Sequence, residues 1–73
     1  MLARFGEKLR TLRKRENITL DDLADRLGYA NNSYLSLLEN GKKGPSAALV
    51  FKVSQLFGVS ADVLLDDAAE VPE

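Results

Sequence analysis

Between Thr19 and Gly41 the chain reads TLDDLADRLGYANNSYLSLLENG, two short apolar repeats separated by a few residues that include a glycine. Leu20, Leu23 and Leu27 recur at helical spacing, and Leu35 and Leu38 resume the pattern after the break. Thr19 stands three residues before Asp22, as in a capping box with aspartate in place of the usual Glu or Gln. Gly28 supplies the left-handed residue that closes the first helix, and Gly41 closes the second. Ala24 lies beside the first stripe, where a small side chain lets another helix approach closely. Two short helices joined by so brief a connection define a helix-turn-helix shape.

The rest of the chain is also helical. A first helix is expected from Leu2 to Glu16, with Phe5, Leu9 and Leu12 pointing inward. The second helix of the central pair begins at Asn31 or Asn32, either of which can cap it. After the loop Lys42-Lys43-Gly44-Pro45, Pro45 or Ser46 opens a fourth helix that runs to Phe57 and ends on Gly58. A fifth follows from Ser60 to about Asp66. No segment keeps a period of two, so no strand is expected. The fold class is therefore all-α, one domain over residues 1–66, with an acidic tail or truncated linker over 67–73 that reads as disordered.

Composition removes several functions. With neither cysteine nor histidine among the 73 residues, disulfides and a zinc site are excluded. A domain this small holds roughly 3–5 kcal/mol of net stability, so packed helices or a second chain must support it. The carboxylates Asp21, Asp22 and Asp25 crowd a solvated helix start with no nucleophile–base pair beside them, so no enzyme is expected and no cofactor is implied. No apolar run has the roughly 20 residues of a membrane span and no secretory leader is visible, so a soluble, cytoplasmic protein is expected. The net charge of −1 argues against nucleic acid, but its distribution does not. Six basic residues (Arg4, Lys8, Arg10, Arg13, Lys14 and Arg15) precede Glu16 against the single acid Glu7; five acids and no base follow Ser60. A polarised molecule can show phosphate a positive face while its far end stays acidic. A solvated charged face is the plainer alternative.

Taken in order, Phe5-Gly-Glu-Lys-Leu-Arg-Thr-Leu-Arg13, Leu23-Ala24, Leu27-Gly28, Tyr34-Leu-Ser36, Glu39-Asn-Gly41, Pro45-Ser46 and Leu56-Phe-Gly-Val-Ser60 resemble the λ-repressor/Cro-like (XRE) helix-turn-helix family, from Phe5 to about Leu65. The resemblance implies a compact five-helix domain that binds double-stranded operator DNA as a two-fold homodimer and regulates transcription. It also implies a bacterial or phage-encoded protein, on the nucleoid when bound. The start of the third helix would then meet base edges through Asn31, Asn32 and Ser33, with Ser36 and Leu37 one turn on. Asparagine can pair with adenine N6 and N7, serine with either base, and leucine can pack on a thymine methyl. One of the two asparagines caps while the other reads.

Phosphate contacts would fall to Arg10, Tyr34, Asn40, Lys42, Lys43 and Ser46, the last at a helix N-terminus. Arg13 and Glu39 match a pair that joins the first and third helices of this family, a structural ion pair. Two departures stand out. Leu20 occupies the place of a frequent phosphate-binding glutamine and is either a packing residue or an exposed apolar spot. The stretch from Gly28 to Leu35 is one residue longer than in many members, which can shift the register of Asn31, Asn32 and Ser33. In the fourth helix Ala47, Val50, Phe51, Ser54 and Phe57 suit the core. Leu49, Leu56 and Val63 are left as a dimer surface. The alternative function is an antitoxin or protein-interaction module, whose acidic tail from Asp66 to Glu73 would mask a basic partner protein.

Overall fold

The computed structural model describes residues 4–71, so the expected helix start at Leu2 and the tail residues Pro72 and Glu73 lie outside the described residues. Five helices follow one another: α1 (Phe5–Arg15), α2 (Leu20–Leu27), α3 (Ser33–Glu39), α4 (Ala47–Phe57) and α5 (Ala61–Leu65). Their starts are set by local chemistry. Thr19 accepts from the Asp22 N–H at 3.1 Å, Ser46 from Leu49 at 3.1 Å and Ser60 from Val63 at 3.3 Å. Each hydroxyl satisfies one of the N–H groups that a helix start leaves without a partner. α1 ends with Asn17 in left-handed backbone, the Ile18 N–H returning to Arg13 O at 3.1 Å and Asn17 N–H to Lys14 O at 3.1 Å. Buried Ile18 pins that exit to the core.

The core gathers Phe5, Leu9 and Leu12 of α1, Leu23, Ala24 and Leu27 of α2, Leu35 and Leu38 of α3, and Leu49, Val50 and Val53 of α4 with Leu64 of α5. α1 packs on α3 and α5, α2 on α3 and α4, and α4 on α5. Leu20 proves to be a packing residue, half-buried against this cluster. α1 and α3 touch through backbone: the position a Cβ would take on Gly6 lies 1.8 Å from Leu38 O.

Three expectations are corrected. α4 is rotated from the expected arc: Leu49 is fully buried, so it cannot belong to a dimer surface, and Phe51, expected in the core, is 64% exposed. Lys8 does not sit on a solvated face. It is buried and donates to Val63 O at 2.6 Å and Asp66 O at 2.5 Å, where the free carbonyls at the end of α5 favour a cation. The tail is not loose over residues 67–71. Asp67 Oδ1 accepts from the Arg4 N–H at 3.2 Å, supplying α1 from a distance with the cap that no neighbouring side chain provides. The Arg4 guanidinium holds Glu70 at 2.9 Å and Glu7 at 2.7 Å, and Val71 packs against the core.

The hydrogen bonds from Arg4 keep the Glu70 carboxyl below the ordinary glutamate range. A lowered folded-state pKa gives stability that is complete above the unfolded value and is lost as pH falls through the folded one. Glu70 should therefore titrate below a glutamate in an unstructured peptide when followed by NMR, and Arg4→Ala should return it to the ordinary range. An ordinary titration in the unaltered protein would mean that the clasp does not form in solution.

Candidate nucleic-acid interface

α2, the turn over residues 28–32 and α3 carry the expected reading residues. α3 turns Leu35 and Leu38 into the core, which leaves its start and one flank outward. Asn31, Ser33 and Asn40 are exposed; Asn32, Ser36 and Leu37 are half-buried. Leu37 stays outside the apolar cluster, as a side chain free to meet a ligand would. The two asparagines divide their work. Asn31 Oδ1 accepts from the Ser33 N–H at 3.0 Å and closes the turn onto α3. Asn32 occupies the cap position without a side-chain cap bond, and its Nδ2 instead donates to Asp21 Oδ1 at 2.6 Å. That bond orients the amide while leaving its carbonyl oxygen and one N–H, the donor–acceptor pair that adenine requires.

The phosphate set is less uniform. Lys42 and Lys43 are exposed on the loop after α3. Ser46 spends its hydroxyl on the α4 cap, and the Tyr34 hydroxyl donates to Gly44 O at 3.3 Å. Arg10 is drawn inward: its Nε lies 3.2 Å from Glu39 Oε1 and its Nη2 3.4 Å from Asn40 Oδ1, although 46% of the side chain stays exposed. Its charge is thus shared with a protein carboxylate.

Arg13 and Glu39 do form the expected pair, joining α1 to α3. Arg13 Nε meets Glu39 Oε2 at 2.8 Å and Nη2 meets Oε1 at 3.1 Å, while Nη1 caps Ile18 O at 2.9 Å. Hydrogen bonding to Glu39 holds the Arg13 guanidinium above its ordinary pKa, so it stays charged. Sequence reasoning missed the third member, Arg10; its place one turn before Arg13 on α1 was the available signal. It also missed Asp21, which no pattern ties to Asn32 eleven residues later. Tyr29, Lys52 and Tyr34 form a further cluster beside the turn: the tyrosine rings meet edge-to-face with centroids 5.6 Å apart, and Lys52 Nζ lies 5.5 Å from the Tyr29 centroid.

Five helices with the second and third set across a short turn, the third presenting an uncharged polar start beside two lysines, define a helix-turn-helix domain. Residues 6–70 match the helix-turn-helix domain family, and the chain belongs to it, within the XRE-like group. An uncharacterized HTH-type transcriptional regulator of Methanocaldococcus jannaschii is 38% identical over 55 residues, covering 75% of this chain and 82% of its own length. The HTH-type transcriptional regulator SinR of Bacillus subtilis is 38% identical over 67 residues, which are 90% of this chain and 60% of SinR. The chain thus spans well under the full length of that relative. The solved N-terminal DNA binding domain of SinR superposes with a TM-score of 0.81 at 35% identity, covering 93% of this chain and 99% of that domain.

Proposed function

We propose that this chain is a sequence-specific DNA-binding transcriptional repressor that reads a two-fold operator by laying α3 in the major groove. The observation that carries the reading is the start of α3. Asn32 is held by Asp21 with its reading atoms free, Ser33 and Leu37 lie beside it, and Lys42 and Lys43 stand exposed where the chain leaves the helix. Base contacts from Asn31, Asn32, Ser33, Ser36 and Leu37 specify; Lys42, Lys43 and the exposed part of Arg10 supply the phosphate attraction. No described helix is long and apolar enough to cross a membrane.

A reading face without charge binds weakly alone, so two subunits on paired half-sites are part of the proposal. The surface for the second copy centres on Phe51 and Leu65, 64% and 41% exposed, which line one groove with Pro45 and Ala61. The antitoxin alternative is less well supported, because Asp67 and Glu70, two of the acids between Asp66 and Glu73 meant for a basic partner, are engaged by Arg4.

Affinity selection from random duplexes should return a preferred site with two half-sites about one helical turn apart. On that site Lys42→Ala and Lys43→Ala should each weaken binding to every duplex and lower the salt slope by about 1. Asn32→Ala should weaken only the selected site, by roughly 10- to 100-fold. Failure to enrich any sequence, or binding indifferent to salt, would reject the proposal.

A further inference from the structure

α3 has seven residues, and its core anchors are Leu35, the third, and Leu38, the sixth. Ahead of Leu35, the start of the helix with Asn32 and Ser33 has no side-chain cap at Asn32 and is held by the exposed bonds Asn31–Ser33 and Asp21–Asn32. A second set of contacts reaches it from behind. After left-handed Gly28, the Tyr29 N–H donates to Ala24 O at 2.8 Å, and the Tyr29 ring packs half-buried against the core. Lys52 of α4 donates from Nζ to Leu27 O at 3.2 Å, one of the carbonyls left open at the end of α2, and faces the Tyr29 ring. The same ring meets Tyr34 of α3 edge-to-face, and the Tyr34 hydroxyl bonds Gly44 on the loop of Lys42 and Lys43. One continuous set of contacts thus ties α4, the turn, α3 and the lysine loop together.

We propose that Lys52 and Tyr29, acting through Tyr34, form a strut that sets the pitch of α3, making Lys52 and Tyr29 positioning residues for base discrimination. The inference rests on the DNA-binding reading of α3. The turn between α2 and α3 thereby places an aromatic ring between α4 and α3. Hydrogen bonds to base edges weaken steeply as distance and angle degrade, so a small tilt of α3 costs specific contacts while leaving attraction to phosphate intact. Burial raises the Tyr29 phenol above its ordinary pKa, so the ring stays neutral beside Lys52 at physiological pH.

The test uses Lys52→Met and Tyr29→Leu, with Lys52→Arg and Tyr29→Phe as conservative partners, in the full chain. Amide hydrogen exchange is measured first without DNA. The Ser36 amide, bonded to Asn32 O at 2.9 Å, should exchange at least about 10-fold faster in the first two variants, while the amides of α1 stay protected. Tyr29→Phe should preserve the slow exchange, because the ring is what matters. Binding to the selected duplex and to a scrambled one is then titrated across salt. In Lys52→Met the ratio of specific to non-specific affinity should fall roughly 10-fold with the salt slope unchanged. A slope lowered by about 1 with equal loss on both duplexes would make Lys52 a phosphate contact and overturn the proposal. Unchanged Ser36 exchange in both Lys52→Met and Tyr29→Leu would also overturn it. If the unaltered protein binds neither duplex, the DNA-binding reading fails, and the exchange result still decides whether the strut sets α3.

Discussion

Gly6→Ala is expected to destabilise the domain strongly and to lower its urea midpoint far below that of the unaltered protein. An added Cβ would stand 1.8 Å from Leu38 O, 2.8 Å from Leu38 C and 3.0 Å from Glu39 Cα. All three are backbone atoms of α3, so no side chain can rotate away, and α1 and α3 must separate. Overpacking of this kind usually costs about 1–3 kcal/mol and sometimes more. Here the separation also loosens Phe5 and Leu9 from Leu35 and Leu38 and pulls Arg13 from Glu39. Against it stands only the better helix propensity of alanine, worth about 1 kcal/mol. The steric term is the larger of the two, and a domain of this size has only roughly 3–5 kcal/mol to lose. Gly44→Ala is the control, since nothing lies within 4 Å of its Cβ position. Urea unfolding should show Gly6→Ala far below the unaltered protein and Gly44→Ala beside it. A Gly6→Ala midpoint equal to the unaltered one would mean that the two backbones do not meet as described.

That contact also marks where sequence reasoning ends. Helix boundaries were legible because Thr19, Ser46 and Ser60 act on N–H groups three residues away, and because left-handed Gly28, Gly41 and Gly58 act on the turn they occupy. The inward faces of α1, α2 and α3 were legible because each carries one apolar stripe. α4 is apolar nearly all round, so periodicity alone could not choose between the arcs holding Phe51 and Leu49. Packing against α2 and α5 makes that choice. Lys8 was misplaced for a related reason. A lysine beside an apolar stripe reads as solvated unless the carbonyls of α5, more than fifty residues on, are already in place. The candidate site divides in the same way. Asn32, Ser33 and Lys42 follow from position in α3 and its loop. The Asp21 and Lys52 contacts depend on how separate helices dock.

Glu39 offers the second large effect, and the expected order of costs follows from its surroundings. Its side chain is 1% exposed and accepts from Arg13 at 2.8 and 3.1 Å and from Arg10 at 3.2 Å. Glu39→Ala leaves two guanidinium groups facing each other, with Arg13 only 14% exposed and unable to turn fully to water. Removing one partner of a buried pair costs about 3–5 kcal/mol, which is comparable to the whole stability of the domain. Arg13→Met is milder, because Arg10 still neutralises the carboxylate; loss of charged hydrogen bonds suggests about 1.5–3 kcal/mol. Arg10→Met should cost no more than about 1 kcal/mol, since that arginine is 46% exposed and its charge is largely solvated. Arg13→Met combined with Glu39→Leu should recover part of the loss of Glu39→Ala, because no uncompensated charge then remains in the α1–α3 interface. Denaturant unfolding of the four variants tests the order. Glu39→Ala within about 1 kcal/mol of the unaltered protein would show that the two helices are held by their apolar contacts alone. Arg10→Met as damaging as Glu39→Ala would mean that the buried carboxylate depends on Arg10 rather than Arg13. Because this carboxylate sits at the end of α3, the helix proposed to read DNA, destabilising it should also weaken the proposed sequence-specific binding in the fraction that stays folded.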